Sequence, residues 1–229
     1  MKLLWTDCET TDLEPHKGFI LEVAAATARL ENPFRLSPIQ RWVLPFPAQA
    51  YWDADPKVQA MHTANGLWEQ CRTSTTRLHD VENALLEMVA LDEEDKRHDF
   101  AWPTDDEPHP DKLCTICEEP YGSVARGADG AVGSCPVAKR RNMTTLAGST
   151  VHFDLGFFRV HMPRLAASVY SRTYDVSAVK LFCRSMGMGR LVPGEAHRAT
   201  EDLLESVAHV LECVKWLGQR ALFEKKVTK

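Results

Sequence analysis

The N-terminal part of the chain carries apolar runs of strand length that are separated by polar turns. Residues 3–5 are apolar and precede an acidic turn, residues 19–28 are almost continuously apolar, and residues 41–44 contain another short apolar segment. Continuous apolar runs of this length are typical of strands that are buried on both faces. The pattern therefore predicts strands in an antiparallel β-meander, followed by a proline-rich loop over residues 45–56.

Helical spacing of apolar residues begins further along the chain. It predicts a helix over residues 76–91, a helix over residues 155–160, a helix that Asp175 opens as N-cap, and a C-terminal helix with Asp202 in its first turn. Residues 145–153 are predicted to form a strand that brings Asp154 to the sheet. The apolar faces of the first, third and fourth of these helices are, in order, Val81, Leu85, Met88 and Val89; Val179, Leu181, Phe182 and Met186; and Leu203, Leu204, Val207, Ala208, Leu211 and Val214.

The composition changes between residues 92 and 143. Charged residues dominate first, and prolines and then glycines follow. Such a stretch has little to bury, and ordered loops of this length are uncommon. We therefore interpret the chain as one domain, with a core at about residues 1–91 and 144–229 and an insertion at about 92–143.

The insertion contains a pattern that is typical of a structural zinc site. Cys114 and Cys117 form a C-x₂-C pair, and Cys135 supplies a third thiol. Four ligands would provide folding energy that this segment otherwise lacks. The fourth ligand is either His98 or His109, and Phe100 and Trp102 favour His98 because they would pack around the site. Unrelated thiols are the alternative interpretation.

Charge and length limit the classes of function. The chain has 229 residues, 44% of them hydrophobic, and a net charge of −5, which argues against a broad basic surface for long nucleic acids. The acidic residues near the N-terminus come too early for a secretory signal, and no run of eighteen apolar residues is present. We expect a cytoplasmic protein whose seven cysteines are mostly reduced.

Two acids at the end of the first strand are the first candidates for chemistry. Asp7 and Glu9 are two positions apart, so on a strand both side chains project from the same face. Two buried carboxylates repel each other, and a divalent cation that prefers oxygen ligands relieves that repulsion. Taken alone, the pair also fits a solvated strand end.

Further candidates lie in the second half of the chain. Asp154 follows a predicted strand, and Asp202 lies where the helix dipole favours an ionised carboxylate. His197 precedes Asp202 in a loop rich in glycine and proline, and an imidazole there titrates near neutral pH. These residues join Asp7 and Glu9 in a set of four acids and one histidine.

The set resembles the DnaQ-like family of DEDDh 3′–5′ exonucleases. The motifs D-x-E-T-T at residues 7–11, A-G-x₅-D at 147–154 and H-x-A-x₂-D at 197–202 occur in that family's order. The segments H-T-A-N-G-L at 62–67 and Y-D-V-S at 174–177 are similar to the oligoribonuclease group. The resemblance covers residues 3–91 and 144–217, and it implies a ribonuclease H-like mixed α/β sheet with helices on both faces.

The resemblance also implies a mechanism. The four acids Asp7, Glu9, Asp154 and Asp202 would hold two Mg²⁺ or Mn²⁺ ions, and His197 would act as the general base in hydrolysis of the terminal phosphodiester. The products would be nucleoside 5′-monophosphates. The partners would be short single-stranded oligonucleotides, RNA before DNA, and a homodimer is compatible with the group.

Substrate contacts follow from the same resemblance. Leu13 would separate two bases, and a cap formed by Thr150, Arg172 and Ser177 would bind a 5′ phosphate. The remaining candidate contacts are Thr10 and His62. Ser171 stands where the group carries an aromatic residue, which leaves open a general nuclease that trims longer RNA or DNA. An inactive scaffold is disfavoured because all five catalytic residue types are present.

Overall fold

A computed structural model describes residues 1–30, 34–90, 144–192, 194 and 196–227, and within the insertion the strand pairs at 125–126 and 132–133. The proposed zinc ligands Cys114, Cys117, Cys135 and His98, and the alternative His109, lie outside the described residues. The zinc site therefore stays a prediction. Within the described parts of the chain, no helix is both long and apolar enough to cross a membrane.

The helices and strands alternate along the chain. The strands are β1 (Lys2–Thr10), β2 (Ile20–Arg29), β3 (Gln40–Val43), β4 (Ala125–Arg126), β5 (Val132–Gly133), β6 (Thr145–Gly148) and β7 (Tyr174–Asp175). The helices are α1 (Ala48–Asp53), α2 (Pro56–Ala64), α3 (Leu67–Thr73), α4 (Leu78–Val89), α5 (His152–His161), α6 (Pro163–Ser168), α7 (Val176–Ser185) and α8 (Ala199–Val227).

Five strands form one mixed sheet in the order β3-β2-β1-β6-β7. The first three pair antiparallel, as the predicted meander requires, while β6 runs parallel to β1 and β7 runs parallel to β6. The predicted mixed α/β sheet of ribonuclease H type is confirmed. Because β1, β6 and β7 point the same way, their carboxyl ends lie at one edge of the sheet, where ligand sites of α/β proteins usually form.

Helices cover both faces of this sheet. Leu4 and Cys8 of β1 belong to the cluster that packs against α4, α5 and α6, whereas Leu3 and Trp5 pack with α7 and α8 on the other face. This alternation is the period of two that a strand imposes. Asp7 continues the series of Leu3 and Trp5, so it faces the side on which α8 lies.

Three of the sequence predictions about secondary structure are wrong. The proline-rich loop is largely helical, because Pro56 occupies the first turn of α2 and the Asp55 side chain accepts a hydrogen bond from the backbone N–H of Lys57 at 2.8 Å. The strand predicted over 145–153 ends at Gly148, so Asp154 lies in the first turn of α5. The third error concerns the apolar faces predicted for α7 and α8, because six of their residues are exposed and not buried against the sheet. These residues are Leu181, Phe182, Met186, Leu204, Leu211 and Val214.

Candidate active site

Three carboxylates meet at the edge where β1 ends. Asp7 and Glu9 extend from β1, Asp202 extends from the first turn of α8, and one oxygen of each lies within 4.8 Å of the others. The helix start brings Asp202 to the strand because Leu203 and Val207 pack against the sheet face that carries Leu3 and Trp5. Residues about 200 positions apart in the chain thus form one acidic cluster.

The fourth acid, Asp154, lies beside this cluster. It is 3% exposed in the first turn of α5, and its carboxyl group contacts the thiol and the backbone of Cys8. Cys8 faces the opposite side of the sheet from Asp7 and Glu9, as its position between them predicts. The negative charge of Asp154 nevertheless contributes to the raised pKa of Asp7, so the four acids form one electrostatic group.

Glycine at position 148 allows this part of the sheet to close. A β-carbon there would lie 2.6 Å from the backbone carbonyl oxygen of Thr6 on β1, which is closer than side-chain carbons approach backbone oxygens. The glycine of the A-G-x₅-D motif therefore lets the end of β6 lie directly against β1. The next turn includes Thr150 in a left-handed conformation with φ of +54°, after which α5 begins.

Burial and mutual repulsion keep these acids partly protonated when no cation is bound. Burial, together with the charges of Asp202 and Glu22, raises the pKa of Glu9 to about 8. Burial raises the pKa of Asp154 to about 7. The pKa of Asp7 and that of Asp202 are also raised, in both cases first by burial.

This donor set fits divalent cations that prefer oxygen ligands. The acids are close together and poorly solvated, and the described residues around Asp7, Glu9 and Asp202 place no lysine or arginine in direct ion contact with them. The cost of ionising the acids is the free energy that a bound cation would recover. Mg²⁺ and Mn²⁺ match such carboxylate sites better than softer metals do.

His197 lies on the loop that precedes α8. It is exposed, it adopts a left-handed conformation with φ of +46°, and its charge acts on both Asp202 and His62. The side-chain amide of Asn65 donates a hydrogen bond to its backbone carbonyl oxygen at 2.6 Å. The imidazole of His197 is thus near the acids, and a hydrogen bond from the turn between α2 and α3 fixes the backbone of this residue.

A buried ion pair fixes the same loop to the sheet. Glu22 on β2 is fully buried and accepts hydrogen bonds from the Arg198 guanidinium at 2.8 and 3.1 Å and from the backbone N–H of Ala199 at 3.0 Å. Arg41 contacts the same carboxylate. Glu22 is directly opposite Glu9 in the β1–β2 pairing. The sequence gave no sign that Glu22 holds the loop of His197.

His62 forms the floor of the site. It is fully buried in α2 against the backbone of Thr10, and its Nε2 lies 3.7 Å from Oε2 of Glu9. Its ring packs edge-on against Trp68, with 5.7 Å between the ring centroids. Neither ring nitrogen has a hydrogen-bond partner with regular geometry among the described residues. Burial lowers the pKa of His62, so a neutral imidazole faces Glu9.

The other candidate substrate residues differ in their exposure and in the contacts they make. Leu13 follows the acidic strand end and is 78% exposed, as a residue that contacts bases requires. The Thr10 hydroxyl donates to the backbone oxygen of Asp12 at 2.8 Å. The hydroxyls of Thr150 and Ser177 lie 3.1 Å apart. Arg172 is exposed, and no contact joins it to either hydroxyl in the described structure.

The ends of β6 and β7 explain why Thr150 and Ser177 meet. Asp175 caps α7 by accepting a hydrogen bond from the backbone N–H of Ser177 at 2.8 Å, as predicted. The same carboxylate accepts from the backbone N–H of Thr150 at 3.2 Å. The Thr150–Ser177 pair therefore lies at the same sheet edge as the acidic cluster, on its β7 side.

The fold is of the ribonuclease H-like class, and the acids and histidine at this edge resemble the set of DnaQ-like exonucleases. No family model matches the chain, but curated proteins do. An oligoribonuclease of Corynebacterium diphtheriae is 28% identical over 210 residues, which cover 90% of this chain and 78% of its own length. An oligoribonuclease of Corynebacterium efficiens is 29% identical over 210 residues, 90% of this chain and 74% of its own.

A more distant relative has the same description. A probable oligoribonuclease of Schizosaccharomyces pombe is 25% identical over 213 residues, which cover 91% of this chain and 65% of its own length. Together these similarities support a likeness to the oligoribonucleases and DnaQ-like exonucleases over most of the chain. The resemblance expected from short motifs thus extends across most of the chain.

Replacing Glu9 by Gln should show how much the repulsion and burial of the acidic cluster lower the stability of metal-free protein. Because the pKa of Glu9 is about 8 in the folded chain against an ordinary value of 4.5, folding favours its protonated form, and this contribution to stability is lost as pH rises from about 4.5 to 8. In metal-free protein, Glu9→Gln should therefore matter little at pH 4.5 and raise the free energy of unfolding at pH 8 by more than about 1 kcal/mol.

Urea denaturation in EDTA at both pH values measures this difference. Glu87→Gln is the matched control, because Glu87 is an exposed glutamate on α4 and should change stability little at either pH. Adding Mg²⁺ at pH 8 should stabilise the wild type more than Glu9→Gln. An identical effect of Glu9→Gln at both pH values would contradict the account.

Replacing Glu22 by Gln should destabilise the fold through Arg198. The change leaves a guanidinium that is only 16% exposed without its charge partner, and breaking a buried pair from one side costs about 3–5 kcal/mol. Glu69→Gln is the control, since it breaks the exposed ion pair with Arg72 and should cost little. Equal losses in urea denaturation would show that Glu22 does not anchor the loop.

Proposed function

We propose that this protein is a 3′–5′ exoribonuclease that hydrolyses short oligonucleotides to nucleoside 5′-monophosphates. The observation that carries the proposal is the cluster of Asp7, Glu9 and Asp202 within 4.8 Å, with Asp154 beside it and His197 on the adjoining loop. The relatives described as oligoribonucleases support the same activity. A site of this kind suits phosphodiester hydrolysis, in which the developing negative charge needs cations.

The acids would hold two Mg²⁺ or Mn²⁺ ions. Asp7 would be one of the ligands, since its carboxylate lies within 4.8 Å of those of Glu9 and Asp202 and the charge of Asp154 acts on it. When bound, the cations would supply Lewis-acid chemistry that activates water and stabilises the departing 3′ oxygen. His197 would accept the proton of the attacking water at a ring nitrogen. The hydrogen bond from Asn65 and the Glu22–Arg198 pair would keep its backbone in place.

The 3′-terminal part of the substrate would lie between α2 and the start of α7. Neutral His62 and Thr10 line the side of Glu9, where a terminal ribose would offer hydroxyl groups to an unpartnered imidazole. Leu13 would pack between bases, because it is a large apolar side chain exposed beside the acids. Thr150 and Ser177, with Arg172 three residues before Asp175, would contact a phosphate on the 5′ side.

Turnover of a length series tests the function. End-labelled oligonucleotides of two to ten residues, as RNA and as DNA, should be shortened from the 3′ end in Mg²⁺, with short RNA degraded fastest. Equal rates at all lengths would favour the alternative of a general nuclease that trims longer strands. If no substrate is hydrolysed in Mg²⁺ or Mn²⁺, the exonuclease function is wrong and the inactive scaffold is the remaining alternative.

His197→Ala and Asp154→Ala should affect different properties of the enzyme. Loss of a positioned general base costs roughly two to four orders of magnitude in rate, so His197→Ala should lower kcat by that amount and keep the affinity for Mn²⁺. Asp154→Ala should abolish turnover and weaken Mn²⁺ binding. Calorimetric Mn²⁺ titration beside the rate assay separates the two, and a joint loss of rate and affinity in His197→Ala would make His197 a metal ligand instead.

We also propose that the insertion binds one structural zinc ion through Cys114, Cys117, Cys135 and His98. The support is the C-x₂-C spacing with a third cysteine in a segment of low hydrophobic content. Purified protein should contain about one zinc per chain, and Cys114→Ser should lose it while oligonucleotide turnover persists. Elemental analysis that finds no zinc, or unchanged zinc in Cys114→Ser, would contradict the site.

A cytoplasmic location and a homodimer stay predictions.

A further inference from the structure

A groove with a basic lining begins beside the Thr150–Ser177 pair. It has a cavity of about 270 Å³ and runs between α7 and the loop at residues 188–191, with Cys213 of α8 at its base. Its polar lining consists of Ser177, Lys180, Arg184 and Arg190. We call these four residues and the space between them the basic groove.

The groove follows one face of α7 away from the sheet edge. Ser177, Lys180 and Arg184 are spaced i, i+3 and i+7, so they lie along one side of the helix. Their backbones span about 10 Å at the rise of an α-helix. Ser177 contacts Thr150 at the near end, so the groove extends from the proposed contact for the 5′ phosphate.

The positive charges of the groove are available to a ligand. Arg184 and Arg190 are both exposed and make no ion pair with any residue in the described ranges. Lys180 contacts Nδ1 of His209 at 3.4 Å. On α8, Glu212 pairs with Lys215, and Glu205 lies 3.5 Å from Nδ1 of His209 and accepts a hydrogen bond from the backbone N–H of Gly194. In a chain with a net charge of −5, such a concentration of cations favours a polyanion.

We propose that the basic groove binds the 5′ extension of a single-stranded oligonucleotide whose 3′ end is in the acidic site. The phosphates beyond Ser177 would contact Lys180, Arg184 and Arg190, and Leu181, which lines the groove and is 69% exposed, would offer an apolar surface to a base. This inference rests on the proposed exonuclease function. It predicts that substrates of three to five nucleotides bind better than a dinucleotide.

A double charge reversal tests the groove. Arg184→Glu with Arg190→Glu should raise KM for a 5′-phosphorylated tetrauridylate at least tenfold and leave KM for the diuridylate within about twofold, because only the longer strand reaches the groove. The kcat values of both substrates should stay unchanged. The dependence of tetranucleotide binding on salt should fall by a slope of about 0.7 for each phosphate contact that is lost.

The matched control is Arg72→Glu with Arg77→Glu. These arginines are 60% and 83% exposed on the side chain, they change the net charge equally, and they lie on α3 and at the start of α4, away from α7. The control should alter KM less than twofold for either length. A double reversal in the groove that affects both lengths equally, or neither more than the control does, would overturn the proposal.

Direct binding separates this inference from the proposed function. Fluorescence anisotropy with a labelled tetrauridylate in EDTA measures the groove without any turnover. If wild-type protein binds the tetranucleotide more tightly than the groove variant but hydrolyses no oligonucleotide, the exonuclease function fails and the groove stands. If oligonucleotides are hydrolysed and the groove variant matches the control in binding, the groove fails and the function stands.

Discussion

The buried carboxylate of Glu22 connects the two ends of the chain that form the acidic site. It lies on the second strand, and it holds Arg198 and the first backbone N–H of α8 from a position 176 residues earlier. Taking Glu22 and Arg198 out of water is costly, and only their close and multiple hydrogen bonds offset that cost. The geometry is therefore selective: the loop of His197 and the start of α8 fit in one position relative to β1, and that position brings Asp202 to Asp7 and Glu9.

The acidic cluster has the opposite energetics. Glu22 is a buried acid with cationic partners, whereas Asp7, Glu9, Asp154 and Asp202 are close together and make most of their charge contacts with one another. Burial and repulsion raise their pKa values, so the fold bears a cost that only protons or cations remove. Two acids opposite each other on adjacent strands, Glu9 and Glu22, thus have different roles because only one of them has an arginine. The Glu22 network fixes the position of the loop, whereas the acidic cluster bears the electrostatic cost.

Local patterns in the sequence predicted the parts of the fold that depend on near neighbours. The meander, the Asp175 cap and the position of Asp202 in a first turn follow from periodicity and capping within a few residues. The helices α1 and α2 were missed because a proline at the start of a helix and a proline in a loop look alike in sequence. The strand before Asp154 was predicted to extend to residue 153 because nothing in the sequence marks Thr150 as a residue with positive φ.

Long-range partners could not be predicted in the same way. A glutamate inside an apolar run shows that some partner must exist, but the identity of Arg198 depends on how the C-terminal helix docks. The exposed apolar residues of α7 have the same origin, since helical spacing shows a stripe and not which element covers it. The four acids and the histidine could be proposed from the sequence because their order along the chain is specific, whereas the basic groove is visible only in the structure, where α7 and the 188–191 loop lie side by side.

In the proposed function, the selection of substrate length would depend on how charge is arranged where the 5′ side of the substrate lies. Asp175 accepts hydrogen bonds from the backbone N–H groups of Thr150 and Ser177, so the two hydroxyls lie beside a carboxylate that repels an incoming phosphate. A closed cap for a dinucleotide needs a cation at that point, and Arg172 makes no contact with either hydroxyl in the described structure. The nearest cations along the lining of the groove are Lys180 and Arg184. In the proposed function, a phosphate one nucleotide further from the scissile bond would meet more favourable charge than the first one, which would favour short oligonucleotides over the dinucleotide alone.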